Sequence, residues 1–290
     1  MKATLSFVTS ALLLLLGSPA HGYPTSVVFA PTGDSRDLGQ IGAFAYGAMS
    51  YQAKNANAWV GVGAGLVPSF AYGGGLRFGG VEVGANLLTP DLRGASRVLP
   101  LFDLKASVLA EGRYHPALAA GVIGLSPTFK QQLNFGYVAV TKTLKWQATS
   151  YGRVTLGAGH AFVPDAQLYP GCKASGDPCA FRGSVPFEDV NVSPMLGYET
   201  PGFGRFSFAV DHVGGTSVLS ATNVVANVLL VEGFTFSLGA WFSNDRRVDL
   251  TGAPAADGLF ALLSVLVDFR KTPAAPAAPT AAPGAPGPRR

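Results

Sequence analysis

Histidine and cysteine are the side chains of this chain best suited to acid–base, nucleophilic or metal chemistry. Beyond the first 22 residues the histidines are His115, His160 and His212. None has serine and aspartate partners at a spacing typical of a catalytic constellation, so we predict no catalytic, cofactor-binding or metal site. The sequence therefore favours a protein that is not an enzyme and needs no cofactor.

The two cysteines, Cys172 and Cys179, lie in one segment that also holds Gly171, Gly176 and Pro178. Their close spacing predicts a disulfide in an exported protein, because the compartment outside the cytoplasm is oxidising. Such a bond would close a small loop and stabilise it by about 2–3 kcal/mol in the chain-entropy model. A redox role is disfavoured because the chain has no CxxC motif.

Several segments of the chain alternate apolar and polar residues, and their charged residues fall in the polar set. The clearest such segment is Leu101–Arg113. One parity holds Phe102, Leu104, Ala106, Val108 and Ala110, and the other holds Asp103, Lys105, Ser107, Glu111 and Arg113. A period of two places these sets on opposite faces of a strand. We interpret the apolar face as facing lipid and the charged face as lining the lumen of a barrel.

Ten charged residues have lumen parity in this interpretation: Arg77, Glu82, Asp103, Lys105, Glu111, Arg113, Arg153, Glu199, Arg205 and Asp211. Positive and negative charges nearly balance, so we expect an ion-paired interior, with neighbouring strands placing opposite charges within reach. The alternative is a polar channel for small solutes or for a translocating chain. A wide selective pore would be expected to carry a ring of one sign.

The alternation recurs in thirteen segments, and repetition is the sequence signature of a membrane barrel. They are Leu38–Tyr51, Ala58–Gly65, Phe70–Phe78, Val81–Leu87, Leu101–Arg113, Ala117–Leu125, Leu133–Leu144, Tyr151–Ala161, Val190–Glu199, Arg205–His212, Val218–Leu230, Phe234–Phe242 and Leu259–Phe269. Bacterial barrels have even strand numbers and periplasmic termini. We therefore predict an all-β fold, a closed antiparallel transmembrane β-barrel of 12–14 strands with both termini periplasmic. We favour fourteen, with Ser26–Ala30 as a short fourteenth strand. The alternative is twelve, if one of the thirteen segments is not a strand, and the stretch from Tyr23 to Arg36 would then be an inward-folded lead.

Composition and export signals agree with this architecture. Only 13% of residues are charged, 48% are hydrophobic, and 37 of 290 are glycine. No stretch beyond the first 22 residues approaches the roughly 20 apolar residues of a transmembrane helix. Residues 1–22 are typical of a signal peptide, with Lys2, an apolar Ala11–Leu16 core and a small-x-small site before Tyr23. We thus expect a Gram-negative outer-membrane location for the barrel, residues 23–271.

The long connections provide a test of topology. They are residues 89–100, 162–189 and 244–257, and four predicted strands separate each from the next. An even number places all three on one side of the membrane, which is the arrangement expected for extracellular loops.

The chain ends in a Pro/Ala-rich segment, residues 272–290. We predict a disordered periplasmic tail, or alternatively a tether to periplasmic or outer-membrane protein partners. The formal net charge of +4 is small and scattered. It therefore does not favour nucleic-acid binding, and the partner that the pattern itself implies is outer-membrane lipid.

Two resemblances suggest a function. The stretches 105–112, 116–121 and 137–142 resemble outer-membrane barrels of exopolysaccharide-export systems over about 40 residues. Size, signal, barrel pattern and Pro/Ala tail together resemble porin-like barrels of bacterial gliding-motility complexes. These resemblances imply a non-enzymatic barrel component of an envelope-spanning assembly, for polysaccharide export or surface motility. The alternative is a porin-like channel for small solutes.

Overall fold

A computed structural model describes residues 30–36, 38–50, 56–89, 98–125, 135–147, 149–161, 192–215, 220–244 and 257–269. The segments predicted as signal peptide and tail lie outside these ranges, as do Cys172 and Cys179. Among the described residues there is no helix long and apolar enough to cross a membrane.

The described residues form fourteen antiparallel strands, of which twelve close into one barrel. In chain order they are β1 (Gln40–Ser50), β2 (Ala56–Val67), β3 (Phe70–Gly73), β4 (Leu76–Phe78), β5 (Gly80–Thr89), β6 (Leu99–Leu109), β7 (Ala117–Leu125), β8 (Phe135–Trp146), β9 (Thr149–Ala161), β10 (Val192–Glu199), β11 (Phe206–Val213), β12 (Ala221–Val231), β13 (Phe234–Ser243) and β14 (Gly258–Asp268). Strands β3 and β4 stand apart as a hairpin. The barrel closes where β1 pairs with β14, from Gln40 opposite Asp268 to Ser50 opposite Gly258.

Strand β6 shows how the alternating sequence produces the two barrel faces. Phe102 and Leu104 point outward and are 48% and 47% exposed, whereas Asp103 and Lys105 point inward and are 3% and 1% exposed. Most of the other barrel strands likewise alternate exposed and buried side chains, and the inward set includes charged, small and large apolar residues. The predicted fold class is confirmed, and the charged parity of β6 points inward as predicted at Asp103 and Lys105.

The described part of the chain closes the barrel with twelve wall strands, within the predicted range but not the favoured fourteen. Residues 70–78 alternate like a wall strand but form the separate β3–β4 hairpin. Gly73, Gly74 and Gly75 all have positive φ, which makes a tight turn that a continuous strand could not contain. Ala30, the last residue of the proposed extra strand, lies inside the barrel rather than in its wall.

The two ends of the barrel differ in the length of their connections. At one end, here the turn end, β8 joins β9 through residues 147–148 and β12 joins β13 through residues 232–233. At the other end, here the loop end, β5, β9 and β13 lead into the three long connections predicted from sequence. Strand β1 begins and β14 ends at the turn end. The prediction that the three long connections share one side is confirmed.

Aromatic side chains are exposed around the turn end. They include Tyr72, Trp146, Tyr151, Phe203 and Phe269, which lie on the hairpin, at strand ends or in short connections. On the hairpin, Phe70 stacks on Phe78 with ring centroids 4.8 Å apart, and the Tyr72 hydroxyl donates to the carbonyl of Val108 at 3.0 Å. The hairpin thus lies against the end of β6 and adds to this aromatic rim.

Candidate functional site

The lumen wall carries six of the ten charges that the sequence placed there: Glu82, Asp103, Lys105, Arg153, Glu199 and Asp211. Glu82 of β5 lies directly opposite Lys105 of β6, and Arg153 of β9 lies opposite Glu199 of β10. Arg153 Nη1 is 3.5 Å from Glu199 Oε2. Opposite charges therefore meet across neighbouring strands, because the antiparallel register places them at paired positions.

The other four predicted lumen charges, Arg77, Glu111, Arg113 and Arg205, lie outside the lumen wall. Arg77 is exposed on the β3–β4 hairpin, and Arg205 is exposed in the connection before β11. Glu111 and Arg113 follow Leu109, where β6 ends, so the strand parity no longer applies to them. Glu111 instead accepts bonds from Thr143 and pairs with Lys142 at 3.2 Å.

The lumen holds a part of the chain itself, Ala30–Arg36, which we call the inner segment. Ala30 and Thr32 have no exposed surface, and Arg36 is 4% exposed. Polar contacts join the inner segment to β5, β6, β8, β9 and β11. These contacts satisfy buried backbone groups of the inner segment, which would be costly to leave unpaired.

Charged side chains of the wall hold the two ends of the inner segment. Glu82 accepts from both the guanidinium and the backbone N–H of Arg36, the latter at 3.1 Å. At the other end, the backbone N–H of Ala30 donates to Asp211 Oδ2 at 2.7 Å. Charge-assisted bonds of this kind are about twice as strong as neutral ones.

A second ion pair between the inner segment and the wall is formed by Asp34. Arg153 Nη2 lies 2.6 Å from Asp34 Oδ1 and bridges the inner segment to Glu199. The lumen charges are thus paired with the inner segment as well as with each other. Asp34 and Arg36 were not among the predicted lumen charges. Both lie in the stretch from Tyr23 to Arg36, for which an inward-folded lead was the alternative to a strand.

Two wall hydroxyl groups and the Lys105 ammonium bind the central residues of the inner segment. The backbone N–H of Gly33 donates to Thr141 Oγ1 at 2.7 Å, and the Gly33 carbonyl accepts from Ser107 Oγ at 2.8 Å. Lys105 Nζ donates to Thr32 Oγ1 at 3.3 Å. A side chain at position 33 would overlap the wall, since a Cβ there would lie 2.5 Å from the carbonyl oxygen of Ala117.

Hydrogen bonds within the wall hold the buried aspartates of the lumen. Asp103 accepts from the side-chain amide of Asn86 and from the backbone N–H of Gly124, the latter at 2.6 Å. Asp211 likewise accepts from Asn223 Nδ2 at 2.8 Å. These bonds fix the carboxylates in place and limit the cost of burying them.

Toward the loop end the lumen becomes apolar. Three clusters of buried side chains line it, and their larger members are Phe44, Trp59, Leu88, Leu99, Leu101, Ile123, Phe135, Tyr137, Met195, Val213, Val225 and Phe260. Ala30 belongs to one of these clusters. The inner segment therefore runs from this apolar zone to the charged zone nearer the turn end.

The histidines lie away from the lumen charges. His160 is exposed near the loop end of β9, and His212 Nδ1 is 2.9 Å from Thr222 Oγ1 on the neighbouring strand. His115 is in the β6–β7 connection. Within the described ranges no group of three or more His, Cys, Asp or Glu side chains could hold a metal ion.

The chain is similar to solved barrels. The KdgM porin is 7% identical with a TM-score of 0.43, covering 79% of this chain and 99% of that one. An outer membrane channel from Pseudomonas putida F1 is 12% identical with a TM-score of 0.43, covering 81% and 97%. A mutant of the Rh. blastica porin is 15% identical with a TM-score of 0.30, covering 87% and 66%. No protein-family model and no curated protein sequence matches the chain.

Proposed function

We propose that this protein is an outer-membrane β-barrel that forms a channel for small solutes along its lumen. The observation that carries the proposal is that apolar side chains are exposed on the outside of the barrel and charges of both signs are buried inside it. This arrangement is the reverse of that in a soluble protein. Only a lipid solvent makes such an outer surface favourable over a whole barrel. A charged interior in turn offers polar solutes a path that the lipid denies them.

The barrel ends support an orientation for this channel. The exposed aromatic side chains at the turn end match the girdle that membrane barrels place at the interface. Short turns and both chain ends are typical of the periplasmic side. We therefore propose that the turn end faces the periplasm, with residues 1–22 acting as the export signal and the long connections lying outside.

The charges of the lumen wall predict the ion selectivity of the proposed channel. On the lumen wall the carboxylates outnumber the cations by four to two: Glu82, Asp103, Glu199 and Asp211 against Lys105 and Arg153. Because acidic side chains are in excess, the field along the path should favour cations over anions. We expect a channel with a moderate preference for cations.

Planar-bilayer recording tests the proposal directly. The purified protein and a variant with Ala30–Arg36 replaced by a seven-residue Gly/Ser stretch are reconstituted separately. If the protein is a channel, at least one of the two reconstituted proteins should give current steps, with K⁺ more permeant than Cl⁻. If both folded barrels are silent in bilayers and impermeable in liposome-swelling assays, the channel function is wrong.

A second candidate function is a non-conducting barrel component of an envelope-spanning assembly, for polysaccharide export or surface motility. What favours it is the occupied lumen, because a filled barrel can serve as an anchor without conducting. The Pro/Ala-rich residues 272–290 would then bind a periplasmic partner. Removal of residues 272–290 should abolish co-purification of that partner and impair export or motility. Unchanged phenotypes would argue against this candidate.

A further inference from the structure

We infer that the lumen wall is a binding site for residues 30–36 and that this inner segment is a reversible plug of the channel. This inference rests on the proposed channel function. It goes beyond that function because it names the element that closes the path and the wall residues that hold it.

The plug is bound as a ligand would be. Its contacts reach five strands of the wall, and the ion pairs at Glu82 and Arg153 combine with hydrogen bonds at Thr141, Ser107 and Asp211. All of these contacts are non-covalent. The inner segment is not itself a wall strand, so its departure would leave the ladder of twelve paired strands intact.

The site is shaped for the plug at one position in particular. Gly33 lies so close to the wall that a Cβ would be 2.5 Å from the Ala117 carbonyl oxygen and 2.9 Å from the Thr141 backbone nitrogen. Both neighbours belong to the backbone of β7 and β8 and cannot rotate away. A large side chain at position 33 is therefore incompatible with the seated plug but not with the barrel.

Release of the plug would change the charge of the path. Glu82 would lose the guanidinium of Arg36, Arg153 would lose the carboxylate of Asp34, and Asp211 would lose the Ala30 amide. Buried groups deprived of such partners are stable only when water replaces them. An emptied lumen should consequently hydrate, which is the condition for conduction.

The decisive variant is Gly33→Leu, and Gly47→Leu is its matched control. Gly47 lies on β1, and a Cβ added there would meet no atom within 4 Å, so the control adds the same side chain without a clash. Both are made with Cys172→Ser, Cys179→Ser and Thr32→Cys, and the retained mobility shift of the unheated barrel on a detergent gel checks folding.

Two readouts then separate the plug from the channel. The cysteine at the fully buried position 32 should react with a maleimide about tenfold faster in Gly33→Leu than in the control. A tenfold change corresponds to the loss of about one hydrogen bond to a charged group, and we expect the clash at position 33 to weaken binding of the plug by a similar amount. Gly33→Leu should also give steady current where Gly47→Leu gives brief or rare openings.

The outcomes distinguish the two claims. Equal labelling and equal current in both variants would contradict the inference that residues 30–36 are a plug. Current from either variant would still support the channel function. Faster labelling with no current in either variant would mean that the inner segment leaves a barrel that does not conduct, which refutes the channel function and, with it, the role of the segment as a channel plug.

Discussion

Arg36 and Glu82 form a buried pair that joins the inner segment to the barrel wall. Glu82 accepts from the guanidinium and from the backbone N–H of Arg36, and the two side chains are 4% and 0% exposed. Lys105 lies opposite Glu82 on the adjacent strand. The Glu82 carboxylate therefore lies next to two cations, of which only Lys105 belongs to the wall.

Loss of Arg36 should destabilise the barrel. In Arg36→Met the Glu82 carboxylate keeps Lys105 as its neighbour but loses the bond donated by the guanidinium, and removal of one partner of a buried pair costs about 3–5 kcal/mol. We expect the free energy of unfolding in lipid vesicles to fall by that order, measured by urea titration of tryptophan fluorescence.

The matched controls for that variant are Arg205→Met, at an exposed arginine, and the double variant Arg36→Met/Glu82→Gln. The first should change stability little, because exposed charges contribute about 0–1 kcal/mol. The second should recover part of the loss, because the carboxylate that lost the guanidinium is replaced by a neutral amide. A double variant no more stable than the single one would contradict the pairing.

The outer face offers a prediction that depends on depth in the membrane. Leu263 lies at the centre of β14 and Leu259 near its loop end, and both point outward. Arginine on the lipid face costs about 2–4 kcal/mol at the midplane and about 0–1 kcal/mol near the interface. Leu263→Arg should therefore destabilise the vesicle-embedded barrel more than Leu259→Arg, by the same urea titration. Equal effects would mean that this face does not cross the bilayer.

The face assignments were predictable because they follow from local sequence. Within β6 the alternation of Phe102 and Leu104 with Asp103 and Lys105 is a property of a few consecutive residues, and the period of two converts it directly into inside and outside. The closed barrel follows from the repetition of that signal, together with export and low charge.

The hairpin and the inner segment were harder to predict because their positions depend on distant pairing. Phe70–Phe78 alternates well, but the register of β2 with β5 shifts between Gly65 and Val67, and the chain beyond that point pairs with itself. The inner segment has no period at all. Its place depends on partners such as Asp211, which is 181 residues away from Ala30.

The hairpin should be dispensable for the barrel. Replacing Phe70–Phe78 by a short Asn-Gly turn removes β3 and β4 but no wall strand. We expect the unheated protein to keep its faster migration on a detergent gel. Removal of Phe234–Phe242, a stretch of the same length from wall strand β13, should abolish it. Loss of the compact form in the first variant would place the hairpin in the wall.

The close packing of the inner wall predicts a steric effect at Gly61. A Cβ on this inward-facing glycine of β2 would lie 2.6 Å from Cε1 of Phe44 and would overlap the side-chain amide of Asn86. Phe44 is packed edge-on against Trp59 with ring centroids 5.8 Å apart, and Asn86 donates to Asp103, so neither side chain can move freely.

Overpacking a buried site such as the one at Gly61 costs about 1–3 kcal/mol. Gly61→Ala should lower the free energy of unfolding by that amount in the vesicle assay, whereas Gly47→Ala, which meets open space, should not. If both alanine variants were equally stable, the lumen at this level would have to be looser than the contacts of Phe44 and Asn86 indicate.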